Sequence, residues 1–485
     1  MSEREQVESN GAGDSPAGEW HDLISPVTGS IIDRIRLAGP REIALAAGRL
    51  SAVSDSPGSD EVFSFLRRLR DQLVLRRDSL VRITIAETGF ILRDGEETVD
   101  GAIDFLGSFE TYVRQCPRPQ QVIQHSYSTP ASVRTMRITS RAFGVVAAVV
   151  PQNASLALGI TMIASALFAG ARILLRPSLQ TASTGAVLAG AVTASDPPAG
   201  TVEVVNCLAG DFIKTCCATE QVDLIHYVGS NQYALGVLTQ VFSAGKVCIL
   251  DGQGNGLLYV DESYPPEDAA RLIAEGATRF NGETCTSVNG VLVEKPAYER
   301  LKIALMEQFE ALAVGDPYGP QTRVGPLFSE QQAQGLRRQL LEPRHGRLLF
   351  GGEAEGAYFK PAIVSGVTPE DALVHSGFFG PAVWIQPVSR ERLSHWVRCN
   401  RFPLSDTVLS TRGDVIRDFA NCSRAARVCV NADPSVESMF EPWGGYPPSG
   451  LNPVSLWVEK YRQAFQLDGQ LNLISEVEMT KGPRP

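Results

Sequence analysis

An α/β fold with parallel sheets in two domains is what this sequence predicts, and three observations predict it. From about residue 143, short runs rich in Val and Ile alternate with helical patterns, the rhythm of strand–helix–strand units. Between Leu250 and Gly256 that rhythm pauses on a glycine-rich join and then restarts, so the chain divides into two α/β units. The 485 residues are 44% hydrophobic and 20% charged, ordinary for a globular protein and enough for two to four domains around a large core.

The elements follow in order. Residues 1–20, MSEREQVESNGAGDSPAGEW, are polar, lack the apolar core of a signal peptide and are expected to be a disordered tail. FGVVAAVVP (143–151) reads as a buried strand ended by proline, and Leu156 to Ala169 as a helix ended by Gly170. The apolar stretch here is interrupted by Gly159, Thr161 and Ser165, so it reads as a core helix and not a membrane span. ARILLRP (171–177) is the next strand and Ser183 to Ala194 the next helix; TVEVVN (201–206), a short helix and LIHYVG (224–229) continue the unit. In the second unit GLLYV (256–260) is a strand, and PEDAARLIAEGATRF (266–280) is an amphipathic helix with acids in its first turn. GVLVE (290–294) is the following strand, and a helix runs from about Pro296 to Leu312.

Several functions are excluded by composition. A net charge of −10 with no basic run argues against nucleic acid and anionic membrane surfaces. Nine scattered cysteines, none in CxxC, read as reduced thiols in a cytoplasmic protein. The six histidines show no ligand-like pairing, so no metal is expected, and His226 and His375 read as core or surface residues. GQGNG (252–256) lacks the GxGxxG spacing and precedes a strand, so it is no dinucleotide fingerprint.

One cysteine stands apart. In FNGETCTSVN (280–289), Cys285 follows small and polar residues on a loop between a helix and a strand, facing the gap between the two units, where α/β proteins bind ligands. Seven ordered segments then resemble the aldehyde dehydrogenase superfamily over nearly the whole chain: ISPVTGSII (24–32), ETGFILRDGEETVDGAIDFL (87–106), FGVVAAVVPQN (143–153), NGETCTS (281–287), VGDPYGPQTRVGPL (314–327), FFGPAVWI (378–385) and PWGGYPPSG (442–450). The resemblance implies an aldehyde dehydrogenase-like fold. Its Rossmann-like coenzyme domain would take residues 21–125 and 141–250, and its α/β catalytic domain residues 251–445. A small β oligomerisation arm would come from 126–140 and 464–485, pairing edge strands such as TMRITS (135–140) and LNLISEVEM (471–479) into a homodimer or homotetramer.

What the resemblance implies for chemistry is specific. Cys285 corresponds to the nucleophile and Asn153 to the oxyanion donor, and a thiolate that adds to an aldehyde gives a thiohemiacetal and then a thioester. Asp251, 34 residues before Cys285, stands where the family has its general-base glutamate. Shortening the side chain by one methylene puts the release step in question. In the coenzyme segment RPSLQT (176–181), Arg176 and Ser178 stand at coenzyme contacts, while Leu179 and Gly377 replace two acids that grip a ribose. Losing two such hydrogen bonds, each worth about 1.5–3 kcal/mol, weakens dinucleotide binding about a hundredfold or more. Leu179 also removes a charge that repels a 2′-phosphate, so NADP is slightly favoured over NAD. Gly229 and Ser230 match the turn near the pyrophosphate, although Ala234 and Trp443 depart from the pattern, and Phe379 matches the aromatic beside the nicotinamide.

Three functions remain open on these residues. The first is an NAD(P)-dependent oxidation of an aldehyde. The second is its acylating form, in which coenzyme A or a carrier thiol accepts the acyl group or supplies an acyl thioester for reduction. The third is a non-redox thioester enzyme or a silent scaffold on the same fold.

Overall fold

The computed structural model describes residues 19–51, 57–115, 123–128, 133–342 and 345–469. Most of the expected tail (1–18) and the LNLISEVEM stretch lie outside the described residues.

Two seven-stranded sheets organise the chain. In the first, five parallel strands stand in the spatial order Val202–Val204, Arg172–Arg176, Val145–Val149, Val222–Val228, Val247–Asp251. Each strand alternates sides. Val146 and Ala148 face a core shared with helices Ser59–Thr88, Leu92–Gln115 and Ser155–Ala169, while Val145, Ala147 and Val149 face a second core that includes helix Pro40–Ser51. All five residues of Val145–Val149 are buried, because helices cover both faces of a parallel sheet. Helix Ser155–Ala169 packs between this sheet and the long helices, which accounts for its burial on nearly every side, Thr161 and Ser165 included. Gly170 closes it in the left-handed region, at φ 88°.

The second sheet runs Arg347–Phe350, Ala362–Ser365, Ala382–Val388, Val288–Glu294, Gly256–Val260, Ser405–Leu409, Arg427–Val430, parallel except at the Arg347–Phe350 edge. It too is buried on both faces, with Leu257 and Tyr259 in one core and Leu258 and Val260 in the other. The chain crosses between sheets over Gly252–Asn255, at the expected join. The return crossing is not among the elements expected from the sequence: strand Gly450–Ser455 comes back to the edge of the first sheet, antiparallel to Val247–Asp251, and Trp443–Gly445 pairs antiparallel with Gly450–Ser455 on its outer side. A separate antiparallel sheet joins Arg462–Gly469, Val133–Ala142 and Ile123–Ser128.

Candidate active site

The strand order of the first sheet reverses between Val145–Val149 and Val222–Val228, since their successors depart to opposite sides. Loops leaving the carboxyl ends of two such strands diverge and open a crevice. One loop carries Pro151, Gln152 and Asn153; the other carries Gly229 and Ser230. A cavity of about 1010 Å³ starts there and extends to Cys285, Phe379 and Asp251, all of which line it. It thus runs from the carboxyl edge of the first sheet to the amino edge of the second, where the loops entering Gly256–Val260 and Val288–Glu294 begin.

The nucleophile loop is held from below. Phe280, Asn281 and Gly282 take three successive left-handed conformations, which a chain adopts only when its surroundings over-determine it. The fully buried Asn281 supplies that determination. Its Nδ2 donates to the carbonyls of Gly89 (3.1 Å) and Pro326 (3.0 Å), and its Oδ1 accepts from the Gly325 N–H (2.8 Å). Glu283, also fully buried, accepts at Oε1 from the Phe328 N–H (3.2 Å) and Gln332 Nε2 (2.6 Å), while its Oε2 has no partner. Burial raises the Glu283 pKa well above its usual value, which favours the neutral acid in this strut under the nucleophile. Gly254 is needed on the facing join, because a Cβ there would run into the Cys285 carbonyl. The Cys285 thiol is only partly exposed. Burial pushes its pKa up, and the carboxylates of Glu437 and then Asp251 add to the shift.

Asp251 sits in a buried polar cluster. Its Oδ2 pairs with His226 Nε2 at 2.7 Å, and both oxygens accept from Asn452 Nδ2, at 2.8 and 2.9 Å. His226 Nδ1 meets the Tyr461 hydroxyl at 2.9 Å, and Lys460 Nζ donates to Asn452 Oδ1 at 2.9 Å. Burial lowers the Lys460 pKa to about 8, with Asp251 opposing the shift. His226 is therefore a core histidine, one of the two placements expected of it, yet it touches the candidate base. Asn452, Lys460, Tyr461 and Glu437 escaped sequence reasoning, since no spacing links residues 201 positions apart, as Asp251 and Asn452 are.

The coenzyme candidates divide. Gly229 and Ser230 lead into helix Asn231–Ser243, whose first turn carries no acid; Ser230 Oγ caps it by accepting from the Gln232 N–H (3.2 Å). Together with the crevice this suits a pyrophosphate, and Phe379 lines the far wall. Arg176 and Ser178 do not line the cavity. Arg176 is buried and donates to the Cys207 carbonyl at 3.1 Å, and Ser178 Oγ accepts from the Gln180 N–H at 3.3 Å. Gly377 lies at φ 63°, with the Asn255 and Asn289 side chains occupying the space a Cβ would take, so no acid fits at this position. The residues present fit the pyrophosphate–nicotinamide part of a dinucleotide and leave its adenosine ribose without carboxylate hooks.

The aldehyde dehydrogenase family model matches residues 14–466. The α-ketoglutaric semialdehyde dehydrogenase of Bacillus subtilis is 26% identical over 392 residues, 79% of either chain. Among solved structures, an NAD-dependent aldehyde dehydrogenase from Sinorhizobium meliloti superposes with a TM-score of 0.86 at 21% identity, covering 96% of this chain and 94% of that one. The glyceraldehyde-3-phosphate dehydrogenase of Methanocaldococcus jannaschii, complexed with NADP, gives 0.83 at 21% identity over 94% and 99% of the two chains.

Proposed function

The chain belongs to the aldehyde dehydrogenase family, and from that premise we propose that it oxidises an aldehyde with NAD(P)+ through a covalent intermediate on Cys285. The observation that carries this reading is that Cys285, Asn153, Asp251, Gly229, Ser230 and Phe379 line one cavity at the switch point. Cys285 gives up its proton and its sulfur adds to the aldehyde carbon. The carbonyl oxygen becomes an oxyanion held by the Asn153 amide and the Cys285 N–H. NAD(P)+, when bound by Gly229, Ser230 and Phe379, supplies the acceptor for the hydride that leaves the same carbon. Cys285 is then a thioester.

Asp251 is the proposed base for its hydrolysis. It takes a proton from water, and His226 and Asn452 fix its carboxylate in the cavity wall. The same contacts favour a second reading, in which these partners keep Asp251 from water and an external thiol removes the acyl group. Oligomerisation through the Val133–Ala142 sheet, as a homodimer or homotetramer, completes the proposal.

The test is equilibrium binding of NAD+ and NADP+ followed by rapid mixing with aldehydes. Micromolar binding and one NAD(P)H per subunit in the first turnover are expected. No binding at millimolar coenzyme sinks the proposal. Asp251→Asn should slow steady turnover about 10²–10⁴-fold while sparing the burst; an unchanged steady rate removes the base role. A wild-type burst that turns over only on adding coenzyme A decides for the thiol acceptor.

A further inference from the structure

The ionisable residues lining the cavity are all of one sign. Glu97, Asp104, Asp251, Glu437 and Glu441 line it, and among the described residues no Lys, Arg or His does. Their basic partners stand behind the wall and are partly shared. Glu97 pairs with Arg279 and Asp251 with His226, whereas Arg427 alone serves Glu437 at 3.4 Å and Glu441 at 3.5 Å. Asp104, exposed on helix Leu92–Gln115, forms no ion pair among the described residues. Aromatic rings stand among the acids. Phe440 lies in the same loop as Glu437 and Glu441, stacks on Phe105 at 5.0 Å between centroids, and is backed by Tyr112 at 4.5 Å; Phe105 and Phe440 both line the cavity.

We propose that this cavity selects an aldehyde whose tail carries a fixed positive charge, such as a substituted ammonium, and disfavours carboxylated or phosphorylated aldehydes. The proposal rests on the aldehyde dehydrogenase reading and deepens it by naming the substrate class. Carboxylates at the edge of a low-dielectric cavity attract a cation and repel an anion over several ångströms. An anionic tail would find no basic partner on these walls. The nucleophile points the same way. Glu437 and Asp251 oppose ionisation of the Cys285 thiol, so a cationic tail beside them offsets their field and an anionic tail adds to it.

The experiment compares kcat/KM for three aldehydes: trimethylammonio-acetaldehyde, its uncharged tert-butyl isostere, and succinic semialdehyde. The expected order is cation, neutral, carboxylate, with about tenfold or more between the first two. Asp104→Asn should bring the cation-to-neutral ratio about threefold or more closer to one. A cation no better than the isostere, or a carboxylate equal to it, overturns the proposal. If none of the three is turned over, the dehydrogenase reading fails, and the substrate class is decided by protection of Cys285 from iodoacetamide. Butyltrimethylammonium should then protect at about tenfold lower concentration than hexanoate, and equal or reversed protection overturns the proposal.

Discussion

The two ends of the cavity are built to different tolerances. At the thiol end, Asn281 makes three hydrogen bonds at 2.8–3.1 Å, Glu283 accepts two, and Asp251 is fixed by Asn452 and His226. Beyond the other end, Arg176 and Ser178 bond Cys207 and Gln180 and do not line the cavity. The difference teaches where precision is demanded. A nucleophile must sit within a fraction of an ångström of its carbon, whereas a ribose contact contributes only binding.

Substitutions can break or sharpen that contrast. Cys285→Ala should lower turnover by about 10⁴-fold or more and abolish the burst, because every covalent step passes through its sulfur; residual burst activity would refute the assignment. Asn153→Ala should cost about 10²–10³ in kcat with little change in coenzyme affinity, read from steady-state kinetics beside binding titrations.

Glu283→Gln tests the strut under the loop through pH. The Glu283 pKa is raised in the folded protein, so between about 4.5 and that raised value the unfolded chain is ionised while the folded one is not. Wild-type stability is therefore lost as pH rises through this window, by up to about 1.4 kcal/mol per unit, and the variant should lack that loss. Parallel denaturation curves from pH 5 to 8 would contradict a neutral Glu283. The smallest effect belongs to Arg176→Ala, which should change the coenzyme Kd by less than about threefold, since its guanidinium faces the Cys207 carbonyl and not the cavity. A tenfold loss would mean that the arginine swings out to meet the ligand.

Much of this was legible in the chain itself. Strands such as GLLYV (256–260) announced themselves because a strand buried on both faces needs an unbroken apolar run, and helix Pro266–Thr278 because its acids open a one-sided apolar pattern. Cys285, Asn153, Gly229 and Phe379 could be picked out because their motifs are local, and the fold brings them to one cavity. Arg176 and Ser178 looked equally local, yet their side chains turn inward, a choice that neighbouring strands make and spacing does not encode.

The sequence by itself determined the family, the two-sheet rhythm and the nucleophile loop, since each is read from short segments whose pattern is local. Only the tertiary structure decided the partners of Asp251 and the sign of the cavity. Asn452 reaches Asp251 because Gly450–Ser455 crosses back to the first sheet, and Glu437 stands beside the thiol because the loop before that crossing closes over it. Electrostatic fields sum over whatever side chains space brings near, and the chain carries no local mark of that sum.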